Sequence, residues 1–307
     1  MLTKPGIDAL GPNAASAPPD ASPTPPALPR YEALPDAPLV TIEPGKSWSA
    51  LDLRELWDYR ELLYFLIWRD VKVRYKQTVL GAAWAVLQPL FMMALFSLLF
   101  GRVAGIDTGA VPYPLFAFVG LVPWTFFANA VTTSSNSLVS STHLISKVYF
   151  PRLLVPAGAV AACLFDFALS FLALLGMLVY YRVSPTANLL MLPALVALMA
   201  GFALGVGMWL SSLNVKYRDV RFVLPFLIQL WLFASSVILP SSAVPERLRW
   251  LLYLNPMSGV VEGFRSALLG LPFDWRAIGV AATATAVVLV YAAYSFRRTE
   301  RSFADII

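Results

Sequence analysis

Arg69, Lys72, Arg74 and Lys76 set four cations into one short run, immediately ahead of a long apolar stretch. Guanidinium and ammonium groups at that density can hold phosphate by charge-assisted hydrogen bonds. They can also anchor a membrane segment to anionic headgroups, which is the plainer reading of composition alone. Asp166 is the one carboxylate inside an apolar stretch. A charge at the bilayer centre costs about 2.5 to 3.5 kcal/mol on the insertion scale, so Asp166 is expected to face protein or water. A hydrogen bond to a neighbouring helix is favoured over a proton relay, which needs a second titratable partner. His143 and Cys163 are the only histidine and cysteine, which leaves a metal site short of ligands and allows no disulfide framework. Neither HExxH nor GxSxG occurs, and "PGKS" at 44 to 47 lacks the leading glycine and strand of a P-loop. With no acid, base and nucleophile gathered in one motif, transport ranks above catalysis.

The elements that must position these groups are membrane spans. Of 307 residues, 58% are hydrophobic and 13% charged, far from the balance of a soluble domain. A spanning helix needs about 20 apolar residues. Six stretches qualify, at about 80–100, 112–131, 153–181, 189–213, 222–240 and 277–296. The fold class is therefore all-α integral membrane protein, with both termini on one side. The net charge of +5 comes from basic residues beside the spans and does not indicate nucleic acid. Lys147 and Arg152, then Lys216, Arg218 and Arg221, then Arg297, Arg298 and Arg301 mark the cytoplasmic side; the opposite connectors carry only Arg102 and Arg182. Both termini are thus expected in the cytoplasm.

Residues 1–47, rich in Pro and Ala, lack the apolar content to fold and form an expected disordered tail without a signal-peptide core. From Trp48 to Tyr75, three-to-four spacing of Leu53, Leu56, Trp57, Leu63, Tyr64 and Ile67 predicts an amphipathic helix. It suits the cytoplasmic membrane interface with Trp57 and Trp68 as anchors, or else packs on the protein itself. Between the last two stretches, Pro240, Pro245 and Pro256 interrupt an apolar run that also carries Arg247, Arg249, Glu262 and Arg265. Two short helices folding back and buried against protein satisfy that pattern. The connector "SSTHLISKVYFPR" (140–152) predicts a short cytoplasmic helix, capped by Ser141 or Thr142 and stopped before Pro151. Its Leu144, Ile145 and Val148 make an apolar face suited to a partner's groove. Gly201, Gly205 and Gly207 allow close helix packing, by default within the subunit.

Four blocks in order, "RDVKVRYKQTVLGAAWAVLQPL" (69–90), "HLISKVYFPRLLVPAGAV" (143–160), "SSLNVKYRDV" (211–220) and "NPMSGVVEGFRSALLG" (255–270), resemble the permease subunits of bacterial ABC type-2 polysaccharide exporters. The similarity is nearest to O-antigen exporters, with capsule and teichoic-acid exporters as relatives, and it covers about 48–300. It implies a non-catalytic subunit of the inner (cytoplasmic) membrane. Such subunits form a homodimer joined to two copies of a cytoplasmic ATPase that carries the ATP and Mg, and they export a glycan linked to undecaprenyl pyrophosphate. No cofactor is expected on this chain itself.

The resemblance also implies residue roles. An interface helix would lie at 49–66, and gate helices at 243–270 would include Arg249, Asn255, Pro256, Glu262 and Arg265. A coupling helix at 142–150 would present Thr142, His143, Leu144, Ile145, Lys147, Val148 and Tyr149 to the ATPase. Arg69, Lys72, Arg74, Lys76 and Arg152 become candidates for the lipid pyrophosphate. Trp124, Phe126, Phe127, Trp231 and Phe233 could stack on sugar faces along a channel, or be ordinary packing and interfacial aromatics. Two alternatives stay open: an exporter of a small amphiphile, and a membrane enzyme acting on polyprenyl-linked glycans.

Overall fold

The structure, a computed structural model, describes residues 57–306 apart from 77, 79, 110, 148, 149, 242 and 243. The expected tail, the first part of the expected interface helix, and Val148 and Tyr149 lie outside the described residues. The helices are α1 (Arg60–Tyr75), α2 (Ala83–Phe96), α3 (Tyr113–Ser140), α4 (Thr142–Lys147), α5 (Leu154–Tyr180), α6 (Leu192–Lys216), α7 (Val220–Ala234), α8 (Arg249–Leu254), α9 (Pro256–Leu269) and α10 (Trp275–Ile306). α2 continues through a π-helical stretch, Ser97–Val103, and a 3-10 turn, Ala187–Met191, leads into α6. No strand occurs among the described residues.

α3 is the central helix, buried along most of its length and packed on α5, α6, α2 and α9. Its side chains from Leu115 to Phe127 supply much of the main apolar core. α10 lies along α6. The contact is close because a Cβ on Gly205 would come within 2.9 Å of Val288. Gly207 faces α3 instead, where an added Cβ would sit 2.5 Å from the Ser134 hydroxyl. The small-residue spacing of this helix therefore serves packing within the subunit.

Five helical segments are long and apolar enough to cross a membrane: Ala83–Val103, Tyr113–Ser140, Leu154–Tyr180, Ala187–Lys216 and Trp275–Thr299. The sixth expected stretch, 222–240, holds a helix shorter than the span expected there. α7 has 15 residues, about 22 Å of rise against a hydrocarbon core of about 30 Å. It stops at Ala234 because the next backbone groups find tertiary partners in place of helical ones. The Asn255 side-chain amide donates to the Ala234 carbonyl (3.1 Å), and Arg265 donates to those of Ser236 and Val237 (2.5 and 2.8 Å). Beyond the break come two short helices; α9 is buried against the protein as the interrupted pattern predicts, whereas α8 buries none of its residues. Asn255 caps α9 through its Met257 amide, Pro256 takes the first helical position, and Gly270 closes it at φ 70°.

The described part of the amphipathic segment packs on the protein itself. α1 climbs beside the first half of α5 in the same direction: Leu63 and Leu66 meet Gly158, and two to three turns later Arg74 reaches Cys163 and Asp166. Leu66 and Val71 are buried on this contact side, while Trp57, Tyr64, Phe65 and Trp68 form an exposed aromatic face.

Candidate functional site

The last turn of α1, the start of α2 and the middles of α3 and α5 enclose an open cavity of about 280 Å³. From α3, Thr125, Asn129 and Thr133 recur every four residues and so share one face; on α5, Cys163, Asp166, Phe167 and Ser170 do the same at three-to-four spacing. Trp84, Ala85 and Gln88 of α2 complete the wall, with Thr78 and Gly81 at the elbow. The Ser170 hydroxyl donates to the Ala85 carbonyl (2.7 Å), which fastens α2 to α5.

Asp166 is the hub of this cavity. Arg74 donates from Nη1 to one carboxylate oxygen and the Tyr75 hydroxyl donates to the other. Arg74 Nη2 also lies 3.5 Å from Cys163 Sγ. Burial, reinforced by the Asp166 carboxylate, pushes the Tyr75 phenol well above its ordinary pKa, so it remains a protonated donor. Asp166 thus has the neighbouring-helix partner expected of a carboxylate in an apolar stretch.

The four clustered cations have different fates. Arg69 pairs with Asp70 at 2.8 Å, Lys72 stands over the Trp68 ring at 5.1 Å, Arg74 is neutralised by Asp166, and Lys76 is exposed at the end of α1. Arg152, half-buried, precedes α5. Sequence spacing could not reveal the Arg74 pairing, because Asp166 lies 92 residues from Arg74 in the chain.

The aromatic candidates also divide. Trp124, Phe126 and Phe127 are buried in the core. Phe127 stacks on Phe202 (5.4 Å, 9°) and receives the edge of Trp231 (5.1 Å). Trp231 in turn donates to Asn255 Oδ1 at 2.9 Å. Of the three, Phe126 lines the cavity, with Phe167 edge-on at 5.7 Å. Phe233 is exposed, and sequence reasoning missed its companions Phe222 and Phe226 on α7 and Trp84 and Phe91 on α2. Their three-to-four spacing was visible, but hydropathy does not distinguish an outer face from a core.

The connector helix α4 requires a further correction. Ile145 is buried and Leu144 half-buried in a cluster of the chain's own residues that includes Leu138, Phe150, Leu154 and Phe296. Their apolar face is therefore filled from within, because the turn after α3 folds it back onto α5. His143 and Lys147 remain on the exposed side, with Thr142 half-exposed.

In the α8–α9 region, Arg249 donates from Nε to the Val244 carbonyl (3.2 Å) and approaches Glu246 at 3.7 Å. Arg265 is 1% exposed; it pairs with Glu262 at 3.0 Å and lies 3.6 Å from the Phe116 ring centre. It therefore clamps the break after α7 to α9 and α3.

The chain is 31% identical to the O-antigen export system permease protein RfbA of Myxococcus xanthus over 258 residues, 83% of this chain and 98% of the relative. A Klebsiella pneumoniae protein of the same name is 25% identical over 80% of this chain and 95% of its own length. The polysialic acid transport protein KpsM of Escherichia coli is 23% identical over 66% and 80% respectively. Residues 61–269, which take in the cavity, α4 and the α7–α9 clamp, match the family described as ABC-2 type transporter. With five membrane-length helices and a match across more than half its length, the chain belongs to the ABC-2 type transporter family of membrane permeases.

Proposed function

We propose that this protein is the membrane subunit of an exporter that moves an O-antigen-type polysaccharide, carried on undecaprenyl pyrophosphate, across the inner membrane. The observation that carries the reading is the similarity to an O-antigen export permease along 98% of that relative's length. Two copies would form the pathway, and two copies of a cytoplasmic ATPase would drive it with ATP and Mg. The exposed rows Trp84, Phe91, Leu95 and Leu98 on α2 and Phe222, Phe226 and Phe233 on α7 support a second copy as neighbour. α7 buries only Leu224 and Leu232 against its own subunit, which leaves most of its surface for an outside partner. The ATPase would engage the exposed side of α4, at His143 and Lys147, together with Lys216 and Arg218 at the end of α6. Movement of α4 would reach the bundle directly, since Ile145 shares a cluster with α1, α5, α6 and α10. The α8–α9 pair, held by Arg265 and Asn255, would serve as the external gate. Lys72 and Lys76 are better suited to the lipid diphosphate than Arg69 and Arg74, which already have carboxylate partners.

Deleting the gene and assaying surface polysaccharide tests the reading. Loss of the surface glycan, with lipid-linked glycan accumulating in the inner membrane, is expected. Unchanged surface glycan, or sugar transfer by the purified chain without an ATPase, overturns it.

A further inference from the structure

The cavity between α1, α2, α3 and α5 has more polar lining than the ion pair it encloses requires. Gln88, Thr125 and Asn129 all line it, yet their side chains make no hydrogen bond among the described residues. Asp166 is the thirteenth of the 27 residues of α5, about 18 Å from its start and so near the middle of a hydrocarbon core of about 30 Å. Unpartnered amides at that depth are costly against lipid and call for a polar occupant.

The charges indicate what kind of occupant fits. Arg74 and Asp166 cancel, and the Tyr75 phenol stays neutral. An anion would gain little from a guanidinium already paired and would lie against the Asp166 carboxylate. A neutral ligand rich in hydroxyl groups meets donors and acceptors alike: amides of Gln88 and Asn129, and hydroxyls of Thr125 and Thr133. Trp84, 52% exposed, and the rings of Phe126 and Phe167 add flat apolar faces to the same walls. Such faces pack on the C–H side of a pyranose. At about 280 Å³ the space is at the small end for ligand pockets, which run from roughly 300 Å³ upward.

We propose that this cavity, inside one subunit, is a subsite for a sugar ring of the passing glycan, distinct in charge from the place that holds the lipid diphosphate. The inference rests on the polysaccharide-export reading above. Ring capture halfway along α5 would give the pathway a stepwise hold on its cargo. It would also couple cargo to conformation, since the walls belong to α1, α2, α3 and α5 together.

The test places a reporter thiol in the cavity wall, Ala85→Cys in a Cys163→Ser background, on the full-length protein purified with its ATPase. Thr78→Cys at the elbow is the second reporter should the first not fold. Alkylation by a small methanethiosulfonate reagent is timed with and without a panel of methyl pyranosides of the common bacterial sugars, and with inorganic pyrophosphate. At least one glycoside should slow alkylation several-fold, pyrophosphate should not, and the Gln88→Leu/Asn129→Leu pair should remove the protection. No protection by any glycoside, or protection by pyrophosphate, overturns the subsite. Surface polysaccharide in the deletion strain separates the two claims: glycan retained there refutes the export reading itself, while glycan lost there with no thiol protection refutes the subsite alone.

Discussion

Replacing Arg265 with methionine should destabilise the protein sharply, although the residue lies in no span and on no surface. The side chain is 1% exposed and donates to the Ser236 and Val237 carbonyls at 2.5 and 2.8 Å. Two buried acceptors left unpaired cost about 1 to 3 kcal/mol each. Loss of the guanidinium from the Phe116 face, 3.6 Å away, adds about 2 kcal/mol for a desolvated pair. The variant also relieves strain already present, because Arg265 Nε has no partner and Glu262 is exposed enough to be hydrated. The net is about 3 to 5 kcal/mol, the range for breaking a buried ion pair. At ~2 to 4 °C per kcal/mol for a chain of this size, the midpoint should fall by roughly 6 to 20 °C. Heating the solubilised full-length protein and following the monodisperse fraction by size-exclusion chromatography measures it. Arg265→Lys should recover only part of the loss, since one ammonium cannot reach both carbonyls and presents no flat face to Phe116. A Cβ on Gly120 would lie 2.8 Å from Arg265 Nη2 and 3.1 Å from the Val237 carbonyl. Gly120→Ala should therefore be costly in the native background and less so beside Arg265→Met. A fall of less than about 2 °C for Arg265→Met, or strict additivity of the two substitutions, would refute the clamp.

Three further outcomes follow from the packing. Asp166→Leu and Arg74→Leu each strand a partly buried charge, so the double variant should melt above either single one, by about 1 to 3 kcal/mol of coupling; equal or lower melting would contradict the pairing. Gly207→Ala forces a Cβ to 2.5 Å from the Ser134 hydroxyl and 2.6 Å from its Cβ, and should cost about 1 to 3 kcal/mol by overpacking. Ser134→Gly should restore most of that midpoint. On α4, Ile145→Ala should lower the melting midpoint by about 2 to 4 kcal/mol, whereas Lys147→Glu should leave it unchanged and uncouple ATP hydrolysis from export; the reverse pattern would place the wrong face toward the ATPase.

The spans themselves were legible because hydrophobic content alone decides whether twenty residues can replace water with lipid. Five of the six expected stretches form helices of membrane length. The sixth forms a shorter helix, for a reason hydropathy does not contain. Val237 to Leu239 continue the apolar run, but Asn255 and Arg265, 20 or more residues away, hold the backbone carbonyls of Ala234, Ser236 and Val237 in tertiary hydrogen bonds. α4 shows the same limit on a smaller scale. Helical spacing identified Leu144 and Ile145 as one apolar face, yet a period says only that a face is buried and not by what.

By itself the sequence determined the class of solvent this chain lives in, the order of its helices, the short helices that follow the α7 break and its family resemblance, because these depend on composition, local spacing and order along the chain. Only the tertiary structure decided that Arg74 is paired with Asp166, which aromatics are core, and that a polar cavity lies beside Asp166. Those are properties of groups far apart in the chain, and no local pattern records which distant partner will neutralise a charge or cover a ring.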